Sequence, residues 1–201
     1  MQTLSDYTPS NEDLAARAQQ GCLPSFEELL RRFQVPLLHF LRHVGPEYDA
    51  EDVLQETILR AYGRLNQFRP QWRFSTWLFT IARRTSINYQ RRPQPANHHE
   101  LLLRSVSPAP GPEQLAIAAE SRQVLWSIAA RILGEEEQTA LWLHYVEEMP
   151  VREIAAVLDR SSVAVKTMMF RARKKLLPLV GHLEPEGRSA RPARPAEVSH
   201  G

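Results

Sequence analysis

The sequence predicts an all-α protein of two small helical domains, an N-terminal helical bundle and a C-terminal helix-turn-helix domain, joined by a Pro-rich flexible linker. Three observations carry this. Residues 12–91 repeat apolar side chains three and four apart, without the sustained apolar–polar alternation that strands need. The stretch PQPANHHELLLRSVSPAPGP, residues 93–112, holds five prolines, which forbid continuous helix and favour an extended linker. Residues 113–180 then return to helical spacing, broken near Gly134, at Met149-Pro150 and around Asp159–Ser162. The expected division is 1–92, 93–112, 113–180 and a disordered tail, 181–201, rich in Pro, Arg and Ala.

In chain order, a first helix is expected from about Glu12 to Gln20, stopped by Gly21. A second begins near Pro24-Ser25 with Phe26, Leu29, Leu30 and Phe33 on one face, and its pattern runs past Pro36 through Leu37, Leu38 and Leu41 to Gly45-Pro46. Asp49, three residues before Asp52, gives an N-terminal cap signal for a third helix reaching about Leu65. Its inward positions read as Leu54, Ile58, Ala61 and Leu65, leaving Asp52, Gln55, Glu56, Leu59 and Gly63 outward. A fourth helix lies in RFSTWLFTIARRTSINYQRR, with Leu78, Ile81, Ala82, Thr85 and Tyr89 expected inside.

Composition bounds the function. The chain has 201 residues, 43% of them hydrophobic, enough for real cores, and a formal charge of only +2. Any nucleic-acid role must therefore rest on where the basic residues lie. A single cysteine, Cys22, excludes an internal disulfide framework. The absence of a basic, apolar leader or a membrane-length apolar run leads to the expectation of a cytoplasmic protein without membrane insertion. His98-His99 lack further ligands, and His39 and His43, one turn apart, lack a Cys or carboxylate to complete a set, so no metal and no other cofactor is expected.

Chemistry concentrates in three places. In the fourth helix Trp77, Thr80, Arg84, Asn88 and Arg91 fall along one flank, where an aromatic plane and cations in line can hold an unstacked base and its backbone. The third helix offers an acidic and polar strip, with Leu59 exposed, that suits a basic protein surface and not DNA. In MPVREIAAVLDRSSVAVKTMMFRARKKLL, Val151, Ile154, Ala155 and Leu158 mark one helix and Val165, Met169, Ala172 and Leu176 the next, the spacing of a helix-turn-helix. Ser162, Val163, Lys166, Thr167 and Phe170 then face a major groove, and Arg171, Arg173, Lys174 and Lys175 suit phosphate contacts.

These motifs together resemble a bacterial RNA polymerase sigma factor of the extracytoplasmic-function (ECF) group of the sigma-70 family. DAEDVLQETILRAYGRLNQF resembles the family's core-polymerase-binding helix, FRPQWRFSTWLFTIARR its promoter-melting and -10 segment, and MPVREIAAVLDRSSVAVKTMMFRARKKLL its -35 module; the match runs in order over about residues 12–178. The resemblance implies that Asp49, Asp52, Gln55 and Glu56 dock on the polymerase's largest subunit. It likewise implies that the loop from Arg69 through Arg73 to Phe74, with the helix after it, takes the -10 element, Trp77 stacking on an unpaired base. It implies core RNA polymerase, promoter DNA and an anti-sigma factor as partners, with neither enzymatic activity nor a small-molecule substrate. The chain departs from the family pattern at Arg84, where Asn is common, and at Asp159 for Gly, Arg160 for an apolar residue, Val163-Ala164 for Gly-Thr and Met168 for Arg. Asp tolerates the left-handed backbone such a turn wants.

Two other classes compete. A DNA-processing recombinase, with Ser75 or Tyr89 as nucleophile among Arg83, Arg84 and Arg91, needs a catalytic α/β core or a metal–carboxylate cluster that the sequence does not supply. A dimeric helix-turn-helix repressor accounts for the C-terminal third but leaves the acidic strip and the Trp77 flank without a role.

Overall fold

The computed structural model describes residues 8–44, 50–92 and 125–180, and these contain helices and connecting turns but no strand. α1 is Asn11–Gln19, α2 Leu23–Val44, α3 Ala50–Gly63 and α4 Phe74–Gln90. A short 3-10 turn, Leu65–Gln67, lies between the last two. Helical residues 125–132 form α5, followed by α6 Glu135–Tyr145, α7 Val151–Leu158 and α8 Ser162–Val180. The expected cap Asp49, the linker 93–112 with His98-His99 and the tail 181–201 lie outside the described residues.

Local chemistry explains the boundaries. Ser10 Oγ accepts the Asp13 backbone N–H at 3.0 Å while the Asp13 carboxylate accepts from the Ser10 N–H, a reciprocal cap that satisfies two orphan donors of α1. At the other end Gly21 adopts φ +90°, and the Gly21 and Cys22 amides donate back to the Ala18 and Arg17 carbonyls. Only a residue without Cβ takes that turn cheaply. Pro36 sits inside α2; the missing amide bond is offset by a continuous buried face of Leu29, Phe33, Leu37, Phe40, Leu41 and Val44.

α1–α4 pack as a bundle whose centre is aromatic: Phe40 meets Phe79 edge-on at 5.1 Å and Phe33 meets Phe74 at 5.6 Å. On α3 two of the four expected inward positions are corrected, while Ala61 and Leu65 are buried as expected. Val53, Thr57 and Ala61 are the buried face of α3, with Leu54 and Ile58 only half-buried. Thr57 can turn inward because its hydroxyl donates to the Val53 carbonyl at 2.7 Å, leaving nothing polar unsatisfied. Tyr89, expected inside, is also only half-buried, with the Arg92 guanidinium 5.6 Å from its ring centroid.

In the C-terminal half, Ile154, Val157 and Leu158 of α7 close on Val165, Met169 and Ala172 of α8. Between them Asp159 sits at φ 56°, ψ 48°, left-handed as the turn requires. The two halves also pack on each other, α4 against α7 and α2 against α6. His43 of α2 stacks on Trp142 of α6 at 4.3 Å, a junction the sequence pattern does not announce.

Candidate functional site

α3 presents Asp52, Gln55 and Leu59 to solvent, Leu59 at 72% exposure. Glu56 is different: it is partly buried, and its Oε1 accepts from Arg60 Nη2 at 2.6 Å and Arg92 Nη2 at 2.9 Å. Burial pushes its carboxyl pKa upward, but the Arg92 and Arg60 hydrogen bonds outweigh that and hold it below the ordinary value. Glu56 therefore tethers the end of α4 to α3 as well as adding negative charge. The half-buried Leu54 and Ile58, expected inward, and the exposed Tyr62 make this face more apolar than an acidic strip.

The second surface is the loop before α4 and the first turns of that helix. Trp77 is half-buried, one side packed on Phe68 and Phe74 at centroid distances of 5.6 and 5.4 Å. Its free edge opens into a cavity of about 350 Å³ lined by Arg69, Gln71, Trp72, Thr76 and Thr80. Trp77 thus forms a wall, fixed from behind by two rings. Arg69 Nη1 donates to the Asn66 and Phe68 carbonyls at 2.9 and 3.2 Å, which orients its guanidinium at the rim. Thr80 turns its hydroxyl to the Thr76 carbonyl at 2.7 Å. Arg84, Asn88 and Arg91 are exposed further along the helix.

Phe74 does not belong to this surface. It is 1% exposed, wedged among Phe33, Phe68 and Trp77, and its backbone N–H is capped by Glu12 Oε1 at 2.9 Å. Its place four residues before Leu78 is the inner-face spacing that could have located it in the core. Trp72, by contrast, is 46% exposed, in a loop whose lack of periodicity gives it no face in the sequence.

Arg73 is exposed, yet its Nε lies 3.6 Å from Glu153 Oε1, and the buried Thr76 hydroxyl donates to the other oxygen of the same carboxylate. Both donors belong to α4's N-terminal end and the acceptor to α7. Nearby, Arg83 of α4 and Arg160 after α7 share Glu136 at 3.4 and 3.0 Å. Arg160, out of pattern for its turn, thus has an ionic partner.

The third surface is α8. Ser161 Oγ caps it by accepting from the Ala164 N–H at 3.1 Å. Ser162, Val163, Lys166, Thr167 and Phe170 are all exposed, as expected, followed by exposed Arg171, Arg173 and Lys174. Thr167 donates its hydroxyl to the Val163 carbonyl at 3.0 Å. Arg173 donates to the Tyr145 hydroxyl at 3.2 Å, and Lys175 binds Glu137 at 2.8 Å. Burial raises the Glu137 carboxyl pKa, but the Lys175 and Gly134 hydrogen bonds leave it below the ordinary value. That ion pair neutralises one of the three carboxylates, Glu135, Glu136 and Glu137, in the first turn of α6.

The sigma-70 region 2 family model matches residues 29–95 and the sigma-70 region 4 model matches residues 130–176. The ECF RNA polymerase sigma-E factor of Escherichia coli (strain K12) is 30% identical over 188 residues, covering 85% of this chain and 96% of that protein. Its counterpart in Haemophilus influenzae is 29% identical over 180 residues, covering 83% and 93%. Among solved structures, CnrH in complex with the cytosolic domain of CnrY is 28% identical, covers 87% of this chain and 99% of that one, and superposes with a TM-score of 0.64. The sigma factor RpoE from Bartonella quintana, solved with the anti-sigma factor NepR, shares the fold at 21% identity, covering 78% of this chain and 96% of that one, with a TM-score of 0.57.

Proposed function

The chain belongs to the ECF RNA polymerase sigma factors, and from that membership we propose how its surfaces divide the work of an alternative sigma factor. It binds core RNA polymerase, directs it to promoters through -10 and -35 elements, helps to melt the DNA, and is controlled by an anti-sigma factor. Residues 1–92 form the unit for polymerase and the -10 element, 113–180 the unit for the -35 element, with 93–112 joining them and 181–201 as a tail. On α3, Asp52, Gln55, Glu56 and Leu59, with Asp49 ahead of them, meet polymerase through a mixed acidic and apolar face.

The observation that carries the melting role is the cavity beside Trp77. Its volume is about 350 Å³, its wall is an aromatic plane backed by Phe68 and Phe74, and Arg69 and Trp72 stand at its rim. Stacking worth about 1–3 kcal/mol per base is comparable with the cost of drawing a base out of a duplex, so capture of the opened strand needs no nucleotide hydrolysis. Arg84, Asn88 and Arg91 carry the backbone beyond it. On α8, Ser162, Val163, Lys166, Thr167 and Phe170 read the -35 groove while Arg171, Arg173 and Lys174 hold phosphates.

In this reading the chain has no catalytic step of its own and works in the cytoplasm; no described helix is long and apolar enough to cross a membrane. In vitro transcription with purified core polymerase over a promoter library tests the proposal. A discrete set of transcripts that requires the added chain, and fails with Trp77→Ala at the opening step, is expected. Transcription indifferent to the chain would refute it.

A further inference from the structure

We propose that α1 is the positioning element of the -10 loop: Glu12 and Gln19 hold the two ends of the chain between Leu65 and Phe74 and so fix Arg69 and Trp72 against Trp77. The inference deepens the reading of the α4 surface as the -10 site and rests on it. α4 starts without a cap of its own. Its N-cap residue is Arg73, whose guanidinium accepts nothing, where Ser, Thr, Asp or Asn would ordinarily take an orphan amide. The acceptor comes instead from 62 residues earlier in the chain, as Glu12 Oε1 takes the Phe74 N–H at 2.9 Å. A carboxylate at that end also suits the helix dipole. Capping from α1 thus leaves an exposed cation at the head of α4, where a local cap would have offered an acceptor.

The other end of the loop is held from the same stripe of the same helix. Gln19, two turns along α1 from Glu12, donates from Nε2 to the Leu65 carbonyl at 2.8 Å and to the Phe68 carbonyl at 3.0 Å. Arg69 Nη1 shares the Phe68 carbonyl, so the guanidinium at the cavity rim and the α1 amide meet on one oxygen. Between these anchors the loop closes on itself through a long hydrogen bond, from the Trp72 N–H to the Arg69 carbonyl at 3.4 Å, which sets its shape only weakly. α1 is in turn fixed to α2. Arg32 donates to the Pro9 carbonyl at 3.0 Å and to Asn11 Oδ1 at 2.9 Å, and Leu14 and Ala15 are buried. A rim displaced by about an ångström meets a stacked base in the wrong place, so anchors on a rigid helix bear on strand capture and not on folding alone.

The test uses the full chain with core polymerase on a promoter that it opens. Permanganate reactivity of unpaired thymines gives the opening rate at saturating polymerase, and the concentration at half-saturation gives the affinity of the closed complex. Glu12→Ala and Gln19→Ala are each expected to slow opening by roughly three- to tenfold, the effect of one or two lost hydrogen bonds, with the affinity unchanged. Glu12→Gln, which keeps an acceptor oxygen, should restore most of the rate. Glu12 is half-buried and Gln19 exposed, so neither substitution empties the core. In the free chain, amide hydrogen exchange read by NMR should quicken at Phe74 in Glu12→Ala by roughly tenfold while Leu78 exchanges as in wild type, a local change that a general loss of stability would not produce. When Trp77→Ala is added, the α1 substitutions should slow opening no further. Opening that depends on Trp77 but not on Glu12 or Gln19 overturns the proposal, as does equal slowing by Glu12→Gln and Glu12→Ala, or slowing accompanied by faster exchange at Leu78. Opening indifferent to Trp77→Ala overturns the α4 reading, and the proposal with it.

Discussion

Three aromatic residues within six positions, Trp72, Phe74 and Trp77, should behave as three different kinds of residue when each is truncated to alanine. Phe74 is fully enclosed, so Phe74→Ala removes a core ring and should cost about 3–5 kcal/mol. In a helical unit of this size each kcal/mol moves the melting temperature by about 4–8 °C, so this variant should melt roughly 12–40 °C below wild type. Trp77 keeps its inner side on Phe68 and Phe74 and shows the other to the cavity; its truncation should cost about 1.5–2.5 kcal/mol of stability, roughly half a buried aromatic. It should also remove about 1–3 kcal/mol of base stacking, a loss of roughly 5- to 150-fold in strand capture. Trp72 is nearly half exposed, so Trp72→Ala should stay within about 1 kcal/mol of wild type in stability. It should nonetheless weaken strand capture as Trp77→Ala does. Thermal melting by circular dichroism gives the first quantity, and permanganate reactivity of unpaired thymines in the polymerase–promoter complex gives the second. A Phe74→Ala chain that melts normally yet cannot open promoters, or a Trp77→Ala chain that opens them fully, would refute the assignment of core and surface.

Other expectations follow from the same geometry. Gln55→Lys, on the open face of α3, should abolish co-purification with core polymerase while shifting stability by under about 0.5 kcal/mol. Glu56→Lys should fail in both measurements, since it sets a third cation beside Arg60 and Arg92. Burial against Trp142 and Trp126 pushes the His43 pKa down, opposed by its contact with the His39 carbonyl. Because the folded value then lies below the ordinary value of about 6.5, the unfolded chain takes up protons first on acidification. The stability present above about pH 6.5 is therefore lost as the pH falls, and His43→Phe should flatten the dependence of melting temperature on pH in that window. At Asp159, held at φ 56°, a glycine should be tolerated, whereas Asp159→Val should lower the urea midpoint by an amount equivalent to about 1–2 kcal/mol.

How legible these features were depends on how local their cause is. The stop at Gly21, the left-handed turn at Asp159 and the outward set on α8 are consequences of neighbours within a few residues, and they could be read directly. The face of α3 was misjudged because hydropathy favours Leu54 and Ile58 over Thr57, while the threonine hydroxyl finds its partner in its own helix and so can be buried without penalty. The resemblance puts Phe74 with the -10 loop, whereas helical spacing from Leu78 puts it in the core, where it is 1% exposed. Trp72 had no periodic neighbours to give it a face at all.

Sequence alone determined that this chain is helical, where several of its helices cap and turn, and that it carries acidic side chains outward on α3, an aromatic and cations along α4 and exposed basic side chains on α8, since each follows from side chains within one or two helical turns. Tertiary structure decided what those faces meet. The Glu153 carboxylate is 77 residues from Thr76 along the chain, and in a lone amphipathic helix it would read as a solvated surface charge. Its burial, the stacking of His43 on Trp142 and the partial closing of the cavity beside Trp77 arise only when the two halves pack, because desolvation and hydrogen-bond pairing depend on distance in space and not on separation in sequence.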